Sequence, residues 1–198
     1  MAVLASGSGT NLQTLLDHQR VGPAIALVVS DKPGAFALER ARAHDVRAVF
    51  LDPGHYGSRE AFDRALVGLL EDEAIEFVLL AGYMRILSPV VVAAFPDRIL
   101  NVHPSLLPAF PGAHAVRDAL AWGNRVTGAT VHLVDEEVDH GAIVVQEAVP
   151  ILADDDEVTL HERIQTVEHR LFPMAAELLG EGRLKVEGRR VHILEEEP

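Results

Sequence analysis

The chain has 198 residues, 48% of them hydrophobic, and no cysteine, which excludes disulfides, zinc thiolates, iron–sulfur clusters and a cysteine nucleophile. Asp and Glu outnumber Lys and Arg by 30 to 17, a formal charge of −13, the reverse of what a nucleic-acid groove needs; an anionic ligand would depend on local Arg residues and backbone N–H groups. No apolar run approaches the roughly 20 residues that cross a bilayer, and "MAVLASGSGTN" lacks the basic start of a secretory signal, so a soluble, cytoplasmic, single domain over 1–198 is expected.

Apolar runs of strand length fall at 2–5, 24–30, 47–52, 76–82 and 98–102, near-continuous rather than alternating, as in strands buried on both faces. Helical patterns at 11–20, 34–45, 59–73 and 88–95 separate them. In 59–73, Ala61, Phe62, Ala65, Leu66, Leu69 and Leu70 repeat at three and four, the spacing of one buried stripe. This alternation predicts an α/β fold with a doubly wound, mostly parallel sheet. Beyond about residue 125 the pattern changes. "GATVHLV" at 128–134 and "AIVVQEAVP" at 142–150 read as a hairpin around "DEEVDHG", adding strands at the sheet edge. A long helix follows at about 157–179, with Leu160, Ile164, Val167, Leu171 and Leu178 as its stripe and Pro173 inside it. A small hairpin turning at Glu187-Gly188 and a solvated, mobile acidic tail complete the chain. Loop composition marks 110–125 and 135–141 as mobile.

The turn after the first strand, "ASGSGTNLQTLL", opens a helix where this architecture presents backbone N–H groups to an anion. Gly7 and Gly9 permit a tight turn. The third glycine of a dinucleotide fingerprint is replaced by Leu12, no Gly-Lys-Ser/Thr follows as in a P-loop, and the Gly-x-Ser-x-Gly elbow of hydrolases is not formed. Two readings stay open: a cradle for one phosphate, or a plain strand-to-helix turn with Thr10 as N-cap.

In "ILNVHPSLLP" at 99–108, Asn101 and His103 are two apart in an extended strand and therefore share a face. Pro104 keeps His103 extended, at the carboxyl end of a strand, where ligands bind in parallel sheets. A catalytic imidazole also needs an orienting group; Asp139, before His140-Gly141 at the hairpin turn, is the best carboxylate candidate, against the plainer reading of a solvated hairpin tip. The run "DDDE" at 154–157 reads as helix N-terminal charge rather than a metal site. His132 could line a site or be structural, and no role is assigned to His114.

With these pieces in place, "LASGSGTNLQ", "SREAFD", "LAGYMRILSP", "LNVHPSLLPAFPG", "GATVHLVDEEVDHGAIV" and "IQTVEHRLFP" together resemble the phosphoribosylglycinamide formyltransferase family over about residues 3–185. The resemblance implies a Rossmann-like formyltransferase fold, with the C-terminal hairpin and long helix as additions. It implies transfer of a formyl group from 10-formyltetrahydrofolate, as co-substrate, to the amine of glycinamide ribonucleotide in de novo purine (IMP) biosynthesis. No metal, nucleic acid or membrane is expected to be involved, and the protein would be a monomer or homodimer.

By the same resemblance, Asn101, His103 and Asp139 match the catalytic trio: His103 as general acid/base and oxyanion partner, Asn101 as oxyanion donor, Asp139 raising the His103 pKa. Gly9, Thr10 and Asn11 match the turn that holds the ribonucleotide phosphate, and Gln165, Thr166, Val167 and Glu168 the helix segment on the same substrate. Arg59, Met84, Arg85, Ile86, Leu87, Asn101, Asp135, Glu136, Glu137, Val138 and Asp139 match the folate site. Alternatives are a 10-formyltetrahydrofolate hydrolase, whose relatives carry an extra N-terminal regulatory domain, and a non-catalytic module binding nucleotide phosphate. A tRNA-directed formyltransferase is disfavoured by length and charge.

Overall fold

A computed structural model describes residues 1–195, and the tip of the acidic tail lies outside the described residues. The chain divides into two compact units, Met1–Leu100 and Asn101 onward. In the first unit, β1 (Ala2–Leu4), β2 (Leu27–Ser30), β3 (Arg47–Phe50) and β4 (Val78–Leu80) alternate with α1 (Thr10–Asp17), α2 (Phe36–Ala43), α3 (Arg59–Asp72) and α4 (Pro89–Ala94). The strands pair in parallel in the order β3-β2-β1-β4, with Ala2 opposite both Leu27 and Val78. β1, β2 and β4 are buried at every position, as their unbroken apolar runs require. β3 departs from that expectation. Arg47 and Phe50 are exposed because this strand ends the order and has a neighbour on one side only.

On α3 the buried positions are Phe62, Leu66, Leu70 and Asp63; Ala61, Ala65 and Leu69 flank the stripe half-buried. Asp63 tolerates burial because its Oδ2 accepts from the Ser88 N–H at 2.6 Å.

β5 (Ile99–His103) begins in the first unit and ends in the second. The second unit continues with α5 (Ala115–Trp122), β6 (Val126–Leu133), β7 (Ile143–Pro150), α6 (Glu157–Gly180), β8 (Leu184–Glu187) and β9 (Arg190–Ile193). α5 lies inside the 110–125 segment that loop composition marked. Ala115, Val116 and Ala119 bury one side of a two-turn helix, which Gly123 ends at φ 81°.

The expected hairpin is present: β6 and β7 pair antiparallel, Val126 opposite Pro150, with a register shift between Val131 and His132. These two strands are not the edge of their unit, since β9 pairs parallel with β7 at Ile143 and β8 follows outside it. At the base of the connection, a Cβ on Gly141 would run into the Leu133 carbonyl, so only glycine lets the 135–141 loop close there.

α6 packs on β6 and β7 as one unbroken helix with Pro173 inside it. The acid run caps it: Asp156 Oδ1 accepts from the Thr159 N–H at 2.8 Å, and Thr159 Oγ1 accepts from the Asp156 N–H at 3.0 Å. Its buried stripe differs from the expected one at one step, where Val167 is half-buried and Glu168 is buried instead. The α/β class with a mostly parallel sheet, a long helix and a C-terminal antiparallel hairpin agrees with the sequence pattern.

Candidate active site

β5 brings Asn101 and His103 to one face, and both reach the same carboxylate. Asn101 Nδ2 donates to Asp139 Oδ1 at 3.3 Å, and His103 Nδ1 lies 3.3 Å from Asp139 Oδ2. His103 is buried at 4% exposure and the Asp139 side chain at 10%, so the pair is shielded from water. Asp139 sits at φ 52°, in the left-handed region that Asp and Asn enter more easily than other side-chain-bearing residues. Its Oδ2 also accepts from the Gly112 N–H at 2.7 Å.

His132 completes the cluster from β6. It is 2% exposed, and its Nε2 lies 3.1 Å from Asn101 Nδ2 and 3.6 Å from Asp139 Oδ1. The Leu133 carbonyl, 2.9 Å from Nδ1, takes a hydrogen there and leaves Nε2 as the acceptor for Asn101 in the neutral ring. The sequence weighed His132 evenly between site and structure. The signal was an imidazole inside a strand with no other ionisable side chain, on the strand that follows His103 in the fold.

Two partners were invisible in the sequence because they are main-chain groups. One is the Gly112 N–H. The other is the Phe110 carbonyl, 2.8 Å from His103 Nε2, at a residue held at φ 51°. The segment behind His103 is fixed from several sides. Thr130 Oγ1 donates to the Ser105 carbonyl at 2.7 Å and accepts from the Leu107 N–H at 3.2 Å, while Gln146 Nε2 donates to the Leu107 carbonyl at 2.8 Å. The prolines forbid a helix there, and these bonds determine what forms instead.

The electrostatics refine one expectation. Burial pulls the His103 imidazole below its ordinary value of 6.5, while Asp139 and the Phe110 carbonyl pull the other way and His132 adds a little to the lowering. Asp139 therefore acts in the expected direction, yet burial outweighs it. The carbonyl of Phe110 can only accept, so Nε2 carries a hydrogen. Only the imidazolium would also offer an N–H to Asp139. Burial also opposes the charge on Asp139. The His132 ring, the Gly112 N–H and His103 more than offset it and hold its carboxyl below 3.8. Near neutral pH the cluster is thus a carboxylate beside a neutral ring, with an acceptor already in place for each N–H of the protonated ring.

The other candidate residues fall in both units. In the first, Gly9 at φ 70° is the residue that caps α1, so Thr10 is the helix's first residue rather than its cap. A Cβ on Gly9 would press against Ala37 at 2.9 Å. Asn11 is buried. Arg59 opens α3, exposed, one residue after the Ser58 cap. Met84 and Ile86 are exposed at 69% and 56%, with Leu87 buried. The Arg85 guanidinium lies over the Phe62 ring at 4.6 Å. Ser6 ties the front turn to this stretch, accepting from the Met84 N–H at 2.9 Å while donating to the buried Asp31 at 2.6 Å.

In the second unit, Gln165, Thr166, Val167 and Glu168 lie on α6, Thr166 exposed and Glu168 buried. Asp135, Glu136, Glu137 and Val138 form the loop ahead of Asp139, the last three exposed. No helix among the described residues is long and apolar enough to cross a membrane.

Comparison with known proteins gives a consistent result. The family model described as formyl transferase matches residues 1–176. The phosphoribosylglycinamide formyltransferase of Escherichia coli (strain K12) is 41% identical over 189 residues, covering 94% of this chain and 89% of that protein. The trifunctional purine biosynthetic protein adenosine-3 of Gallus gallus is 47% identical over 94% of this chain, which spans only 19% of that longer protein. The chain spans 14% of the corresponding Drosophila pseudoobscura pseudoobscura protein. Among solved structures, glycinamide ribonucleotide transformylase 1 from Symbiobacterium toebii superposes with a TM-score of 0.95 at 52% identity, covering 98% of this chain and 93% of that one. By sequence and by fold, the chain belongs to the formyl transferase family, among the phosphoribosylglycinamide formyltransferases.

Proposed function

We propose that this protein transfers the formyl group of 10-formyltetrahydrofolate to the amine of glycinamide ribonucleotide, a step of de novo purine biosynthesis, in the cytoplasm and without a metal. The observation that carries the reading is the convergence of Asn101, His103 and Asp139, from positions up to 38 residues apart, in a family of formyl-transferring enzymes.

The chemistry asks for what these groups offer. The amine attacks the formyl carbon and the carbonyl π pair moves to oxygen, giving a tetrahedral oxyanion. Asn101 Nδ2–H donates to that oxygen, exchanging a hydrogen bond it now makes within the cluster, and His132 holds the amide in place from behind. The proton lost by the attacking nitrogen passes through water to the cluster. It makes His103 an imidazolium with Asp139 and the Phe110 carbonyl as acceptors, and the charged ring also supports the oxyanion. The same proton then reaches the folate nitrogen as its bond to the formyl carbon breaks, leaving tetrahydrofolate and the formylated amide.

In this reading Gly9, Thr10 and Asn11 hold the ribonucleotide phosphate at the start of α1. Gln165 to Glu168 contact the same substrate, with Glu168 near its amine. Arg59, Met84 to Leu87, Asn101 and Asp135 to Asp139 contact the folate.

Incubating the protein with 10-formyltetrahydrofolate, with and without glycinamide ribonucleotide, tests this directly. Folate release that depends on the ribonucleotide is expected. Release without it would make the protein a hydrolase, and no release in either mixture would make it a binding module. Thr10→Val and Asn11→Ala are expected to raise the ribonucleotide KM about tenfold or more, the scale of one hydrogen bond to a charged group, with kcat little changed. A loss confined to kcat in steady-state kinetics would contradict phosphate holding.

A further inference from the structure

The turn between β8 and β9 carries Arg189, which reaches out of the C-terminal hairpin to the loop that bears Asp139. Arg189 Nη2 donates to the His140 carbonyl at 2.7 Å, and Nη1 lies 2.9 Å from His140 Nε2. Nη1 is also 3.4 Å from His140 Nδ1, which itself lies 2.7 Å from Asp135 Oδ2, and Asp135 Oδ1 accepts from the Glu137 N–H at 3.0 Å. A guanidinium only donates and a carboxylate only accepts. The guanidinium and the Asp135 carboxylate both lie against the His140 ring, and the Nη2 bond to the His140 carbonyl is the direct tie between the hairpin and the loop.

Two further facts give this chain a purpose. His140 is the residue after Asp139, whose backbone occupies the left-handed region at φ 52°. The loop is otherwise closed at one end by Gly141 against Leu133, while its middle, Glu136 to Val138, is exposed. Nearby, β9 pairs with β7 at Arg190 and Ile143, which seats the hairpin against the loop's exit.

We infer that Arg189 is a positioning residue for the formyl-transfer reaction: through the His140 carbonyl and ring it anchors the 135–141 loop to the terminal hairpin and thereby fixes the Asp139 carboxylate against His103 and Asn101. The inference rests on the transferase reading above. A reactive geometry displaced by about 1 Å can lose about a hundredfold in rate, so a tether at the neighbouring residue has leverage on turnover without touching a reactant.

The test compares Arg189→Ala, Arg189→Lys, His140→Ala and the Arg189→Ala/His140→Ala double variant with the wild-type full chain. Substrates are 10-formyltetrahydrofolate and glycinamide ribonucleotide, and amide hydrogen exchange over residues 135–141 is the second readout. Arg189 is exposed on a turn, so its variants keep the fold.

Arg189→Ala is expected to speed exchange at 136–140 on the order of tenfold and lower kcat on the order of tenfold, with the ribonucleotide KM and the melting temperature unchanged. Arg189→Lys should recover part of the kcat, and the double variant should lose less than the two single losses combined, because both act through one contact. Unchanged exchange, or faster exchange with wild-type kcat, would overturn the inference. A wild-type chain without transferase activity would overturn the reading beneath it. The two failures are distinguishable because the exchange comparison needs no turnover.

Discussion

Replacing His103 with Ala is expected to lower kcat about a thousandfold, the middle of the range for removing a general acid–base group. Of the three residues Asn101, His103 and Asp139, the ring is the one that can gain and lose a proton near neutrality. Asp139 is held ionised and the Asn101 amide does not titrate. Residual turnover would come from Asn101 and from orientation of the bound reactants. The fold should survive, since Asp139 retains the Gly112 N–H at 2.7 Å and Asn101 at 3.3 Å and is not left buried without donors. Single-turnover kinetics on protein verified by circular dichroism checks this. Wild-type turnover in the variant would remove His103 from the mechanism.

Asp139→Asn is the second large effect, expected to lower kcat about a hundredfold and to move the pH profile. Asn suits the left-handed backbone at φ 52° as Asp does, so the change removes charge while sparing the loop. The sign of the pH effect follows from the His103 environment. Burial lowers the imidazole pKa below 6.5 and Asp139 opposes that lowering. The neutral ring, needed to take up the amine proton, therefore prevails in the wild type above that lowered value, and kcat falls on the acid side as the ring protonates. Without the carboxylate, burial acts with less opposition, so the acid limb of kcat should shift to lower pH even as the plateau drops. An acid limb that stays in place, or moves to higher pH, in a kcat profile from pH 4 to 9 would contradict the coupling between the two residues.

The sequence was most legible where one physical rule decides a feature alone. Period-two geometry placed Asn101 and His103 on one face, and unbroken apolar runs marked β1, β2 and β4. It was least legible where the outcome depends on something distant. The exposure of β3 follows from its place at the end of the strand order, which no local pattern records. α5 was hidden by its brevity and by the Pro and Gly on either side.

The same divide runs through the site. Asn101 and His103 could be paired from the sequence, whereas Asp139 had to be chosen from thirty acids with the help of family resemblance. The Phe110 carbonyl and Gly112 N–H have no letter of their own, because every residue has such groups and only the loop's conformation aims them. His132 stayed evenly weighed between site and structure because a histidine in a strand is more often structural, and its 3.1 Å distance to Asn101 is a through-space fact that no local pattern records.

Among Asn101, His103, His132 and Asp139, each side chain rests on another member of the cluster. Aligning such groups has an entropic cost, and here it is met once, when the chain folds, rather than anew with every catalytic cycle. In the proposed mechanism, binding energy from the reactants is then left free for bringing the two molecules together, and the cluster serves as a stationary template rather than one that assembles around its cargo.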